Sequence, residues 1–533
     1  MRALYLSSAF VALSAGLAQA DYTLHVIHIN DLHSRIEAIN AFDSTCSAED
    51  AAESKCFGGV ARVATKIREL RDGIKAEGGN VVVLDAGDQF QGSLFYTTYK
   101  GAAEAEFMEK IGFDAMAVGN HEFDDGPEGL AAFLDKVTFP VISGNTDVSQ
   151  NNGLAGRVQN HVVLEVGGEK IGIISALARD TVDTSSPGPT VIFQDEIDSL
   201  GADVAELEAA GVSKIIALNH VGYGKDMGIA AAVAGVDAVV GGHSHTLLSA
   251  TDPKRGGPYP TWVDGQNGAL VPVVQAYAYS KYVGHLILTF DDAGNLKFAE
   301  GDTILLDASV VPDPEIEARV KEMGAPIEEL KNKVVAESTA DIDGSRETCR
   351  AVECPMGNLI AEAMLNRVAD QGVTIAIQNG GGVRASIDAG PVTMGEVLSV
   401  LPFQNTLSTF EVTGSTIVAA LENGVSQMAE GAGRFPQVAG LKYTVDPKAP
   451  AGARISDVMV LIGGDAWGPI DPAAVYKVVS NNYVRGGGDG FRMFVDAANA
   501  YDFGPDLADV TAEFMAKVGP YTPMTDGRIT VKQ

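Results

Sequence analysis

From Tyr22 to about Asp307 the chain alternates short apolar runs with polar, glycine-rich corners. Residues 25–29 run into Asn30-Asp31-Leu32-His33, and residues 81–84 into Asp85-Ala86-Gly87-Asp88. Residues 115–118 run into Gly119-Asn120-His121, residues 214–218 into Asn219-His220, and residues 237–240 into Gly241-Gly242-His243-Ser244-His245. Runs of four or five residues, β-branched and bounded by glycine, predict buried strands. Helical periodicity between them predicts helices over 60–71, 102–111 and 197–210. Strands alternating with helices predict a layered α/β domain.

The pattern then changes. Pro312, Pro314 and a charged stretch over 315–333 predict an exposed helix or helical linker. All nine histidines lie at or before His285, and the second half carries the glycine clusters Gly380-Gly381-Gly382 and Gly486-Gly487-Gly488 instead. With 533 residues the chain is long enough for about two to four domains, and the shift places a boundary between 310 and 337. No internal repeat or low-complexity tract interrupts it.

Composition narrows the function. Hydrophobic residues at 46% and charged residues at 20% fit a globular chain rather than a disordered one. A net charge of −32 argues against a nucleic-acid polymer as partner, because phosphate-backbone binding requires a basic surface. At the N-terminus, Arg2, an apolar run from Ala3 to Leu17 and Ala18-Gln19-Ala20 form the pattern of a secretory signal peptide. A membrane anchor is the alternative, against which the shortness of the run speaks. No later stretch is long and apolar enough to span a membrane, so the mature chain is expected to be exported, periplasmic or secreted, without an anchor. In an exported chain the four cysteines, Cys46, Cys56, Cys349 and Cys354, pair most simply as Cys46–Cys56 and Cys349–Cys354, one of three pairings. A four-cysteine zinc site is the rival, with spacings unlike the usual ones.

Five histidines, His33, His121, His220, His243 and His245, stand at the strand-end corners, each with Asp, Asn or a second His. Open α/β sheets bind ligands beyond the carboxyl ends of their strands. Asp31, His33, Asp88, Asn120, His220, His243 and His245 therefore form a mixed nitrogen and oxygen ligand set suited to zinc or first-row transition metals. It holds too many donors for one tetrahedral ion and about enough for two ions that share a carboxylate.

These corners resemble the signature of the calcineurin-like metallophosphoesterases. From about Tyr22 to the C-terminus, the chain more closely resembles the two-domain 5′-nucleotidase family, with ecto-5′-nucleotidase and the periplasmic UDP-sugar hydrolase among its members. The resemblance implies an α/β fold: a signal peptide over 1–20, a four-layer αββα metallophosphoesterase domain over 21–311, a linker helix or hinge over 312–336, and an α/β substrate-binding domain over 337–533. It implies two divalent ions of the Zn, Mn or Co class. One takes Asp31, His33, Asp88 and His245, the other Asp88, Asn120, His220 and His243. His245 departs from the UDP-sugar hydrolase pattern, which has Gln there. His121 and Asp124 match the family's catalytic dyad; a further metal ligand is the alternative role for His121.

The second half extends the resemblance through Cys349-Arg350, Asn379-Gly380-Gly381-Gly382-Val383-Arg384, Leu401-Pro402-Phe403, Asn482-Tyr483 and Gly487-Gly488-Asp489-Gly490-Phe491. By position, Arg350 and Arg384 would bind phosphate, Phe403 and Tyr483 would sandwich the base, Asp489 would hold the ribose hydroxyls and Asn379 would contact base or sugar. A guanidinium offers a planar fork to phosphate, and base stacking on an aromatic ring is worth about 1–3 kcal/mol without fixing base identity. The expected activity is hydrolysis of nucleoside 5′-monophosphates by metal-activated water, with UDP-sugars and nucleoside di- and triphosphates as further substrates. Tyr483 stands where the best-known 5′-nucleotidases have Phe. It raises 2′,3′-cyclic-nucleotide 2′-phosphodiesterase/3′-nucleotidase activity as the alternative, while Asp124 argues for the former. The thiosulfate-processing relatives share the architecture but differ around the dyad. A non-catalytic exported nucleotide-binding or adhesive protein is the rival from another class.

Overall fold

The computed structural model describes residues 21–532, apart from 42, 44–45, 329–331, 404, 464–465 and 502–503. The signal-peptide expectation at 1–20 lies outside the described residues. Two six-stranded sheets build the first half. One runs Leu296–Leu305, Tyr282–Phe290, Tyr22–Ile29, Asn80–Asp85, Ala115–Ala117, Val141–Ile142, and its last four strands are parallel. The other runs Thr261–Asp264, Leu270–Val274, Ala238–Val240, Lys214–Leu218, Glu169–Ile174, His161–Val166, with parallel pairing through its middle.

The apolar runs are continuous because both faces of these strands are covered. Leu24, Val26, Val82 and Leu84 point between the sheets, against Ile171, Ile173, Ile216, Leu218 and Val240. Ile27, Ile29, Val81 and Val83 point outward, beneath the helices Val60–Ala76 and Ala102–Ile111. Helices Glu196–Ala209 and Tyr223–Ala232 cover the second sheet. The result is a four-layer αββα stack. The three helices expected from periodicity all form, with ends shifted by up to five residues.

The charged stretch after Pro312 is helical over Pro314–Gly324, but it is not an exposed rod. Ile316, Val320 and Met323, spaced as one helical stripe, are buried in the core of the first half. Asp313 caps the helix by accepting from the N–H groups of Glu315 and Ile316, and Arg319 grips Glu106 through two hydrogen bonds of 2.8 and 2.9 Å. The linker is therefore anchored at its start.

Beyond it, a mixed five-stranded sheet runs Pro436–Ala439, Ile375–Asn379, Val475–Asn481, Leu407–Thr413, Ala498–Tyr501. Helices Pro355–Arg367 and Leu507–Val518 pack into one core beside it and Gly414–Val425 into another. Among the described residues no helix is long and apolar enough to cross a membrane.

Candidate metal centre and nucleotide cleft

Five strands deliver the candidate ligands. Tyr22–Ile29, Asn80–Asp85 and Ala115–Ala117 from one sheet, and Lys214–Leu218 and Ala238–Val240 from the other, end at a common edge. The backbone there is unusual. Five of the seven candidate ligands have left-handed φ: Asp31 (50°), His33 (51°), Asp88 (58°), His243 (74°) and His245 (54°). Such residues cost of order 1–3 kcal/mol each and persist only where the surroundings over-determine them.

Cross-loop hydrogen bonds supply that constraint. The Asp31 and His33 N–H groups donate to Gly87 O and Asp88 O, each at 2.9 Å, and the His243 N–H donates to Asp31 Oδ2 at 2.9 Å. Buried Glu122 accepts from four backbone N–H groups, those of Gly119 (2.7 Å), Gln89 (2.8 Å), Asp88 (3.0 Å) and Phe90 (3.2 Å). It ties the loop carrying Asp88 to the loop carrying Asn120. Glycine is required at 119 by close approach, since a Cβ would strike Asp88 and Glu122.

All seven candidate ligands converge. Asp31, His33 and His245 form one donor group and Asp88, His220 and His243 another, with donor atoms within 4.8 Å inside each group. His245 Nε2 lies 3.1 Å from Asp31 Oδ1, and His33 Nε2 lies 3.0 Å from His245 Nε2. Asp88 Oδ2 stands between the groups, 3.7 Å from His33 Nε2 and 3.0 Å from His220 Nε2. Asn120 joins through its Oδ1, 2.8 Å from His243 Nδ1. His121 also falls within a donor group, with His33 and Asp88.

The residues fit divalent ions. His33 Nδ1 faces Phe90 O at 3.2 Å and His220 Nδ1 faces Ala86 O at 2.6 Å, so each ring turns its Nε2 toward the cluster. Buried His220 Nε2 faces Asp88 Oδ2 at 3.0 Å; against burial, Asp88 and Asp31 raise its pKa to about 10, so a proton stands where a divalent cation would bind. Burial, then the neighbouring charge of His220, holds His243 down to about 4, and burial with Arg384 holds His33 well below its ordinary value. Both are thus neutral imidazoles, the form that ligates metal. Burial opposes the Asp88 carboxylate, but His220 and His121 overcome it and keep it ionised.

Beside the cluster, His121 Nδ1 lies 2.6 Å from Asp124 Oδ2. Burial pulls the imidazole pKa down, yet Asp124 and Asp88 outweigh it and leave it above its ordinary value. The His121 N–H also donates to Asp88 Oδ1 at 2.8 Å, so dyad and cluster share a scaffold.

The second half presses its own residues onto this face. Arg384 Nη2 reaches within 3.4 Å of His33 Nε2, and its guanidinium sits over the Phe403 ring at 5.6 Å. Phe403 in turn stacks on His121 at 5.8 Å. Asn379 Nδ2 donates to Asp489 Oδ2 at 2.6 Å, and Tyr483 OH lies 3.3 Å from Asp489 Oδ1. Asn379, Tyr483 and Asp489 therefore form one group, while Phe403 lies toward the dyad. Arg350 faces a cavity of about 650 Å³ that opens at His245, walled also by Tyr277, Tyr279, Arg346 and Arg384. The cysteines are bonded as Cys46–Cys56 and Cys349–Cys354, and the second bridge adjoins Arg350.

Several residues of this face escape sequence reasoning. Arg346 stands one helical turn before Arg350, and that spacing was its available signal. Tyr279 packs edge-on against His245 at 5.1 Å and under Arg35 at 5.2 Å, with a left-handed φ of 61°. Glu122 is adjacent to His121 in sequence, but its four backbone partners exist only in the fold.

Residues 24–247 match the calcineurin-like phosphoesterase family, and residues 334–496 match the 5′-nucleotidase C-terminal domain. The chain is 40% identical to a 5′-nucleotidase of Diplobatis ommata over 98% of this chain and 92% of that protein. It is 38% identical to a 5′-nucleotidase of Homo sapiens over 97% and 93%. A solved 5′-nucleotidase precursor from Thermus thermophilus superposes with a TM-score of 0.90 at 41% identity, covering 96% of this chain and 99% of that one. Its cluster, its cleft and its full-length likeness place the chain in the two-domain 5′-nucleotidase family of metallophosphoesterase enzymes.

Proposed function

We propose that the chain is an exported dinuclear-metal phosphohydrolase that converts nucleoside 5′-monophosphates to nucleoside and phosphate. The observation that carries this reading is the meeting of two donor groups, linked at Asp88, with Arg384 of the other half. Asp31, His33, Asp88 and His245 would hold one ion, and Asp88, Asn120, His220 and His243 the second. When bound, the ions supply Lewis acidity toward the phosphate and acidify water near neutral pH.

The chain's own residues then divide the work. Arg350 and Arg384 orient the phosphate through charge-assisted hydrogen bonds. His121, held by Asp124, donates to a phosphoryl oxygen as negative charge builds. Tyr483 stacks one face of the base, Phe403 moves from His121 onto the other face as the halves close, Asp489 accepts from the ribose hydroxyls, and Asn379 holds Asp489 and contacts base or sugar. The net charge of −32 gives no long-range attraction for an anion, so local cations supply the field. We assign 21–311 to the metal domain, 337–533 to the substrate domain and 312–336 to a hinge on which they close. Two disulfides support export.

Tyr483, bonded to Asp489, supports a second reading, the cyclic-nucleotide phosphodiesterase/3′-nucleotidase. The test is phosphate release from AMP beside hydrolysis of 2′,3′-cyclic AMP, in protein chelated and reloaded with Zn²⁺, Mn²⁺ or Co²⁺. Fast metal-dependent release from AMP is expected. Preferential opening of the cyclic ester would move the chain to the second reading, and binding without turnover would favour a non-catalytic nucleotide binder.

A further inference from the structure

A hydroxyl stands directly behind the dyad. Ser185 Oγ donates to Asp124 Oδ1 at 2.7 Å, while Asp124 Oδ2 faces His121 Nδ1 at 2.6 Å. With both oxygens engaged, the carboxylate cannot swing away from the imidazole. Ser185 is itself held: its N–H donates to Thr181 O at 3.0 Å and closes the short helix Thr181–Thr184, and the next N–H, of Ser186, donates to Phe123 O at 3.3 Å. That short helix packs against the turn Gly488–Gly490 of the second half. The turn carries Asp489, the carboxylate read above as the ribose acceptor. Ser185 thus lies at a junction, with the dyad on one side and the nucleoside-holding turn on the other.

We propose that Ser185 is a positioning residue that couples docking of the Gly488–Gly490 turn to alignment of Asp124 and His121. The proposal rests on the phosphohydrolase reading above. A nucleotide whose ribose is held at Asp489 keeps the turn on the helix Thr181–Thr184. The helix then keeps the Ser185 hydroxyl on Asp124, and the carboxylate aims the imidazole. An ester without ribose does not hold the turn there and gains less from the hydroxyl.

The test is steady-state kinetics of Ser185→Ala and Ser185→Thr in the metal-loaded full chain, on AMP and on p-nitrophenyl phosphate. Removing the hydrogen-bond partners that orient metal ligands costs about 10–100-fold in activity, and the lower end of that range is taken here for the partner of the dyad carboxylate. Ser185→Ala is expected to lower kcat on AMP about tenfold or more, with KM on AMP, metal content and thermal midpoint as in the parent, and to lower kcat on the aryl ester by far less. Ser185→Thr keeps the hydroxyl and is expected to recover most of the loss, which a merely structural role would not produce selectively for the nucleotide. Unchanged kcat on AMP, or an equal loss on both esters, would overturn the proposal. The parent enzyme separates this outcome from failure of the functional reading: a parent that turns over neither ester, or only the aryl ester, overturns the reading and the coupling with it.

Discussion

His33 and Arg384, from opposite halves of the chain and 351 positions apart, meet with 3.4 Å between Nε2 and Nη2. Among the described residues no carboxylate pairs with Arg346, Arg350 or Arg384. Arg350 Nη1 donates to Gly431 O at 3.4 Å and Arg384 Nη1 to Gly381 O at 3.5 Å, and all three arginines line the cavity that reaches His245. Burial, then the neighbouring Arg346 and Arg384, hold Arg350 well below its ordinary value.

The first consequence concerns Arg384. A hydrogen bond between charged partners is worth about 1.5–3 kcal/mol, or about 10–150-fold. Arg384→Ala is expected to raise KM for AMP by about that factor and to leave metal content unchanged. Initial rates with elemental analysis of the same sample check it, and loss of metal would show that Arg384 supports the cluster instead.

The dyad makes a second prediction. His121→Ala is expected to lower kcat by about 10²–10⁴-fold. Asp124→Asn breaks the same unit, so the double variant should fall little below His121→Ala alone. A multiplicative loss in the double variant would separate the two residues.

How much of this was legible in the sequence depends on what each residue needs in order to be recognised. Asp31, His33, Asp88, Asn120, His220, His243 and His245 announce themselves because each follows a buried apolar run, and parallel strands bring such ends together. The helices over 60–71 and 102–111 were legible for the same local reason. The helix Pro314–Gly324 was half legible. Its charge marked it as a linker, while Ile316, Val320 and Met323 bury it against the first core. Glu122, Tyr279 and Ser185 were not legible, since their partners come from distant loops. The stacking of Phe403 on His121 depends on how two domains meet, which no local pattern encodes.

Metal loss should cost stability as well as activity. Asp88 touches both donor groups, so Asp88→Ala is expected to bind fewer than two ions and to lose turnover. An ion present at 100 times its Kd stabilises the folded state by about 2.7 kcal/mol. Chelation should therefore lower the thermal midpoint of the parent and leave that of Asp88→Ala nearly unmoved. Equal shifts in the two proteins would place the ions elsewhere.

Glu104 predicts a pH effect on stability. Its side chain is buried, and burial pushes it up to about 7 against the opposing influence of Ser34. The folded state retains a proton that the unfolded state releases at lower pH. Glu104 therefore supports stability below about pH 4.5, and that support is lost as pH rises through about 7. Glu104→Gln should flatten the fall in urea midpoint between pH 5 and 8. Glu104→Val should stabilise the chain at pH 8 by about 1–3 kcal/mol. A destabilised valine variant would contradict the assignment.

Closure can be trapped. Asn40 Nδ2 donates to Asp388 Oδ2 at 3.2 Å across the two halves. A short bismaleimide with a reducible S–S spacer, joining the cysteines of the double variant Asn40→Cys, Asp388→Cys, should stop turnover, and mild reduction should restore it. Full activity in the cross-linked protein would remove the hinge.

The central claim is that two ions held around Asp88 drive hydrolysis of nucleoside 5′-monophosphates. It is tested most directly by titrating the chelated protein with Mn²⁺ or Zn²⁺ while following phosphate release from AMP. The predicted result is no release without metal and a plateau at two equivalents per chain. A plateau at one equivalent, release without metal, or no release with two ions bound would contradict it.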